Sequence, residues 1–268
     1  SPRPPALHAL VDAVGTRHER VAARARIVSL VPSLTELLCD LGLADDLVGR
    51  TRYCIHPRDA VAGIPKVGGT KDVDLDRVRR LAPTHVVLNV DENTRDTAQA
   101  LAAFVPRLIV THPLGPLDNP ELFRLLGGIF GRERAAEQLC AAFEQQLEAA
   151  TRTSRVPQRV LYLIWRKPWM TVGPDTYVSR TLALFGWQTQ PEEPADARYP
   201  IVDPASFAGT VDRVLLASEP YRFRPHHAPE IEGLLPGTPV EPIDGEMTSW
   251  YGSRAIQALR YLDTRTRA

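Results

Sequence analysis

Short apolar runs, each followed by a helical stretch, recur along this 268-residue chain and are interrupted once by a long helical segment. That alternation restricts the fold more than any other feature, because parallel strands need crossover connections and those connections are usually helices. The first run, Arg26-Ile27-Val28-Ser29-Leu30-Val31, has the near-continuous apolar character of a strand covered on both faces. Pro32 to Glu36 then opens a helix that runs to about Gly42, with Ser33 and Glu36 at the spacing of a capping box. Leu47 to Arg50, His85 to Asn89 and Leu108 to Thr111 read as further strands. Helices fall over Asp74 to Leu81 and between Asn93 and about Phe104. The order βαβαβαβ predicts a mostly parallel sheet with helices on both faces.

The middle of the chain differs. Asn119-Pro120-Glu121 starts a helix, with Pro at the first helical turn. From Glu133 to about Thr151 the apolar positions Ala136, Leu139, Cys140, Phe143, Leu147 and Ala150 hold a helical period, while Glu137, Glu144 and Glu148 fall on the other side. Such a helix is roughly 30 Å long. A second block follows, with strands over Val160 to Ile164, Val211 to Ala217 and Pro239 to Ile243, and helices over Tyr177 to Phe185 and from about Ser253. The expected class is therefore α/β: two Rossmann-like lobes joined by a single long backbone helix. Residues 1–130 form the first lobe, 131–154 the bridge and 155–268 the second lobe. No internal sequence repeat is visible.

Composition then removes several functions. The 32 Lys and Arg balance 32 Asp and Glu, unlike the basic stripe of a nucleic-acid binder or a polybasic membrane-surface protein. Three cysteines (Cys39, Cys54, Cys140) and no CxxC pair argue against a disulfide scaffold or a structural zinc site. No apolar run approaches the roughly 20 residues of a membrane span. The proline-rich start at Ser1-Pro2-Arg3-Pro4-Pro5 has no signal-peptide core, which fits either a processed periplasmic chain, the favoured location, or a cytoplasmic one.

In open α/β sheets, ligands sit beyond the carboxyl ends of the strands. The first lobe presents Pro32, Tyr53, Glu92 and Asn93 there. The second presents Trp165, Arg166, Trp169, Tyr221, Arg222, Trp250 and Tyr251. Aromatic rings with a few fixed polar groups suit a bulky organic ligand, and Arg166 or Arg222 could pair with its carboxylates. Gly68-Gly69-Thr70-Lys71 lacks the upstream glycine of a phosphate loop and reads as a turn. His226-His227 reads as solvated loop or metal ligand, and Cys54 with His56 as a buried thiol beside a turn or as a nucleophile and base.

Several stretches resemble one family. They are Arg26 to Glu36, Val48-Gly49, Val67-Gly68-Gly69, Leu75-Asp76-Arg77 and Leu81-Ala82-Pro83, preceded by Val11 to Gly15, which is similar to a short hairpin. The chain so resembles the periplasmic cobalamin-, siderophore- and haem-binding family of ABC-transporter substrate-binding proteins. The resemblance implies a helical-backbone periplasmic binding protein fold with a metal chelate held between the lobes: a corrinoid first, then a ferric siderophore or haem. It implies no intrinsic cofactor, an ABC permease as partner, a monomer and only small lobe closure about the rigid helix. Pro32 and Tyr53 fall at first-lobe pocket positions, and Trp169, Tyr199 and Met247 to Trp250 near second-lobe ones. Tyr53 or His56 could ligate the metal. Asp76 occupies the first permease-docking position. The second holds Ala205, within Val202-Asp203-Pro204-Ala205, where the family pattern has an acid. Two other functions stay open: a cytoplasmic chelate carrier or sensor, and an enzyme on the same scaffold using Cys54 or His56.

Overall fold

A computed structural model describes residues 9–267, so the proline-rich start lies outside the described residues. The chain divides into two compact units, one comprising Ser1–Pro113 and Asp118–Ala142, the other Leu114–Leu117 and Phe143–Ala268.

The first unit runs β1 (Ile27–Ser29), α1 (Pro32–Asp40), β2 (Leu47–Arg50), α2 (Arg58–Val61), α3 (Leu75–Leu81), β3 (His85–Asn89), α4 (Arg95–Ala102), β4 (Arg107–Thr111) and α5 (Asn119–Ile129). Its four strands are all parallel, in the order β2-β1-β3-β4. The central strands β1 and β3 are buried at every residue, as both-face coverage requires. Val28, Leu30, Val86 and Leu88 pack there with Val78 of α3 and Leu101 of α4.

The expected capping box on α1 does not form. Pro32 occupies the first helical turn and Val31 the cap, with no side-chain cap bond. The fixed φ of proline suits that first position, so Ser33 lies already inside the helix, buried. True caps appear at Asp74, which accepts from the Arg77 amide at 3.0 Å, and at Thr94, which accepts from the Thr97 amide at 3.1 Å. Ahead of β1, the Asp12 carboxylate accepts from the amides of Val14, Thr16 and Val110, tying a tight turn to β4.

The second unit contains β5 (Gln158–Leu163), α7 (Tyr177–Ala183), β6 (Trp187–Thr189), β7 (Arg213–Ala217), α8 (Ala228–Leu234), β8 (Val240–Ile243), α9 (Gly245–Ser249) and α10 (Arg254–Thr266). The division between units falls inside α6 (Glu133–Thr151). Its strands are parallel in the order β6-β5-β7-β8. This is the permutation of the first sheet, a repeat of topology that the sequence does not show. On α6, Ala136, Cys140, Phe143 and Ala150 are buried while Glu137, Glu144 and Glu148 stay exposed. Four elements of the structure, α2, β6, α8 and α9, are not read from the sequence; β6 is only three residues long, and α8 buries only Ile231.

Candidate functional site

The loops beyond β1, β2 and β3 build the carboxyl edge of the first lobe. Arg50, at the end of β2, is buried and spends its guanidinium on the carbonyls of Val61, Thr51 and Cys54, which shapes the loop that carries Tyr53. Tyr53 is 52% exposed. The Arg52 guanidinium lies 4.8 Å from the centre of its ring and donates to its hydroxyl at 3.2 Å, while also gripping Asp72 at 3.0 and 3.2 Å. Asp72 can come so close because Gly69 has no side chain: a Cβ there would lie 2.2 Å from the Asp72 carboxylate.

Asn93 departs from its expected role. Its side chain donates to the carbonyls of Leu30 and Thr70 and accepts from the Asn89 amide, so its hydrogen-bonding groups are spent within the lobe and it is buried. Asn93 pins three loops together. Pro32 starts α1 and is half-buried. Glu92 is held beside them through its backbone amide on Asn89, and burial raises the pKa of its carboxyl despite the opposing charge of Lys71.

Cys54 is fully buried, and its sulfur contacts the hydroxyls of Thr35 and Thr51, each at 3.1 Å. Desolvation raises its pKa. A nucleophile needs the thiolate and a base, and the sulfur's two side-chain hydrogen-bond partners are hydroxyls. That geometry speaks against Cys54 as the reactive group of an enzyme.

In the second lobe, Trp165 to Met170 folds back as a tight hairpin, with the Ile164 amide on the Met170 carbonyl and the Met170 amide on the Trp165 carbonyl. Met170 in turn bridges Ile201. Trp165 is 40% exposed, and its ring meets Tyr221 edge-on at 5.5 Å. Tyr221 packs on Phe223 at 4.7 Å, and Trp169 stacks parallel to Phe223 at 6.1 Å. Trp169 thus joins the lobe core. His227 accepts from the Arg224 amide through Nδ1, which leaves Nε2 as the N–H facing the Tyr221 hydroxyl at 3.3 Å. Both of its ring nitrogens are thus engaged within the lobe. Among the described residues no group of three His, Cys, Asp or Glu side chains could hold a metal ion.

Three other expected contacts change role. Arg166 does not face outward as a free cation, because it donates to Glu230 at 2.7 Å. Trp250 and Tyr251 are both buried. The Trp250 indole donates to Glu219 at 2.7 Å and lies under the Arg254 guanidinium, and Tyr251 meets Tyr177 edge-on. Gly245 leaves the space for Glu219, since a Cβ there would lie 2.6 Å from its side chain. Tyr199 remains 39% exposed, and Arg222 is exposed with no ion pair among the described residues. Asp76 is exposed on the first turn of α3. Ala205 sits in a 3-10 turn, where the Asp203 carboxylate accepts the Ala205 amide at 3.1 Å as a cap.

Asp72, Glu219 and Glu230 were not found by sequence reasoning in these roles. Each acts as a partner to a distant residue, which no local motif marks.

The periplasmic binding protein family model matches residues 27–203, about two thirds of the chain. The chain belongs to the periplasmic binding protein family. A vitamin B12-binding protein of Photorhabdus laumondii is 30% identical over 96 residues, 36% of this chain and 34% of that one. The chain therefore spans only about a third of that relative. The vitamin B12-binding protein of Vibrio campbellii is 24% identical over 213 residues, 78% of this chain and 74% of that one. Among solved structures, the periplasmic vitamin B12 binding protein BtuF of Vibrio cholerae superposes with a TM-score of 0.79 at 17% identity, covering 91% of this chain and 97% of that one. That likeness establishes the periplasmic binding protein fold as two parallel-sheet α/β lobes. No described helix is long and apolar enough to cross a membrane.

Proposed function

We propose that this periplasmic binding protein is the substrate-binding component of an ABC-type uptake system and takes a metal chelate, with a corrinoid as first choice and haem or a ferric siderophore next. One observation carries the reading. The only aromatic rings among the exposed large apolar side chains of the described residues are Tyr53, Trp165 and Tyr199; Tyr53 and Trp165 lie in the loops beyond β2 and β5, and Tyr199 lies in the stretch beyond β6, beside the Met170–Ile201 bridge. Exposing large rings costs roughly 25 cal/mol for each Å² that could be buried, so rings at a ligand-bearing edge are surface kept for a partner. Tyr53, Trp165 and Tyr199 are the rings proposed to meet the chelate, and Arg222 would pair with an anionic substituent.

Asp76 is the proposed docking residue for a permease, and the second lobe would dock without an acid at position 205. The named activities of the two B12-binding relatives support the choice of corrinoid. The test is a titration of the purified chain with cobalamin, haem and a ferric siderophore, following tryptophan fluorescence. Quenching with saturation by one of them is expected. A flat signal with all three would overturn the chelate reading.

A further inference from the structure

The amino-terminal edge of the second sheet holds a cavity of about 520 Å³ that plays no part in the site above. It lies where α6 ends, where β5, β6 and β7 begin and where α10 ends. Four of its lining residues are arginines: Arg155, Arg213, Arg265 and Arg267. Among the described residues, two carboxylates answer them. Asp263 takes Arg155 and Arg267, and Glu241 takes Arg213 at 2.8 Å and Arg265 at 3.5 Å. Two positive charges are left over.

These forks are held in place. Gln158 accepts from Arg213 at 2.5 Å while the Arg213 guanidinium lies 4.7 Å from the centre of the Trp187 ring. Arg155 is almost wholly buried and is also tied to Thr266 and to the Ala150 and Thr153 carbonyls. The Arg265 Nε is shut from water with no hydrogen-bond partner, so the network is incomplete as it stands. Crowded like charges on oriented forks favour a doubly charged oxyanion, which guanidinium groups grip two bonds at a time. The volume suits a small organic ligand rather than a single ion.

We propose that this cavity binds a small polyanion of the phosphate class, a diphosphate or phosphate ester, and that the bound anion ties the end of α6 to the second lobe. The proposal is independent of the chelate reading. It is tested on the full chain by calorimetric titration with inorganic pyrophosphate at low and near-physiological salt. One saturable site per chain is expected, weaker at higher salt, with a raised melting temperature at saturation. Arg265→Gln and Arg267→Gln should each weaken binding about tenfold or more, the loss of one charged hydrogen bond. Arg95→Gln, an exposed change on α4, should leave it unaltered. Arg267 is largely exposed, so its variant reads the site even if the Arg265 variant unfolds. No saturable heat with the folded wild type, or unchanged affinity in both second-lobe variants, would overturn the proposal.

Discussion

Glu219 accepts the indole N–H of Trp250 at 2.7 Å, inside the second lobe. A ring buried and bonded in this way supports the loop beyond β8 rather than displaying itself to a ligand. Glu219→Ala should therefore lower stability by about 1–3 kcal/mol, the cost of removing the acceptor of a buried donor. Chemical denaturation measures it. A change in chelate affinity with unchanged stability would contradict the supporting role.

The exposed rings should behave in the opposite way. Tyr53→Ala and Trp165→Ala remove surface that contributes little to folding. Each should weaken chelate binding by about 1–3 kcal/mol, roughly five- to 150-fold, with a melting temperature within a few degrees of the parent. Titration and thermal unfolding of the two variants decide this together.

His85 should make the first lobe sensitive to acid. Its ring is buried against Phe130, and desolvation, helped by His18 and Arg107, lowers its pKa to about 4 from 6.5. Between those values the unfolded chain binds a proton that the folded chain refuses. The contribution is thus fully present above pH 6.5 and is lost as pH falls towards 4, on the order of 3 kcal/mol in all. Urea unfolding from pH 8 to pH 4 should show that loss, and it should flatten in His85→Gln by about the same amount.

The thiols should resist modification in the folded state. Burial pushes Cys39 up to about 11 and raises Cys54, and Cys140 is buried in α6. At pH 8 about one Cys39 in a thousand is thiolate, so alkylation is slow. Mass spectrometry after iodoacetamide treatment should find labelling only when denaturant is added. Rapid labelling of Cys54 in native buffer would favour the enzyme alternative.

Arg155 anchors the end of α6. Its guanidinium reaches Asp263, Thr266, the Ala150 carbonyl in the last turn of the helix and the Thr153 carbonyl just beyond it, and it lies 5.0 Å from the centre of the Phe185 ring. Arg155→Ala leaves Asp263 with only the more exposed Arg267 and should cost about 3–5 kcal/mol, as breaking a buried pair does. Equilibrium unfolding measures it. A loss under 1 kcal/mol would show that the network carries little of the stability.

Most of the fold was legible in the chain itself. The runs at Val28, Val86, Leu161 and Val214 are buried central strands, and apolar continuity is the local mark of a strand covered on both faces. The errors were also local in origin. Ser33 looked like a cap until Pro32 claimed the first helical turn, and β6 was too short to show a period. The site was less legible. Tyr53, Trp165 and Tyr199 are exposed in the structure, whereas Asn93, Trp250 and Tyr251 are internal.

What the amino-acid order determined alone is the class of fold, the alternation of its elements and the neutral charge balance of the chain. Each depends on periodicity or composition, which a short window of chain contains. Tertiary structure alone decided which charges remain available. Arg52 meets Asp72 20 residues away, Trp250 meets Glu219 31 away and Arg166 meets Glu230 64 away. Pairing and burial depend on what folds against a side chain, and at such separations no local pattern carries that information.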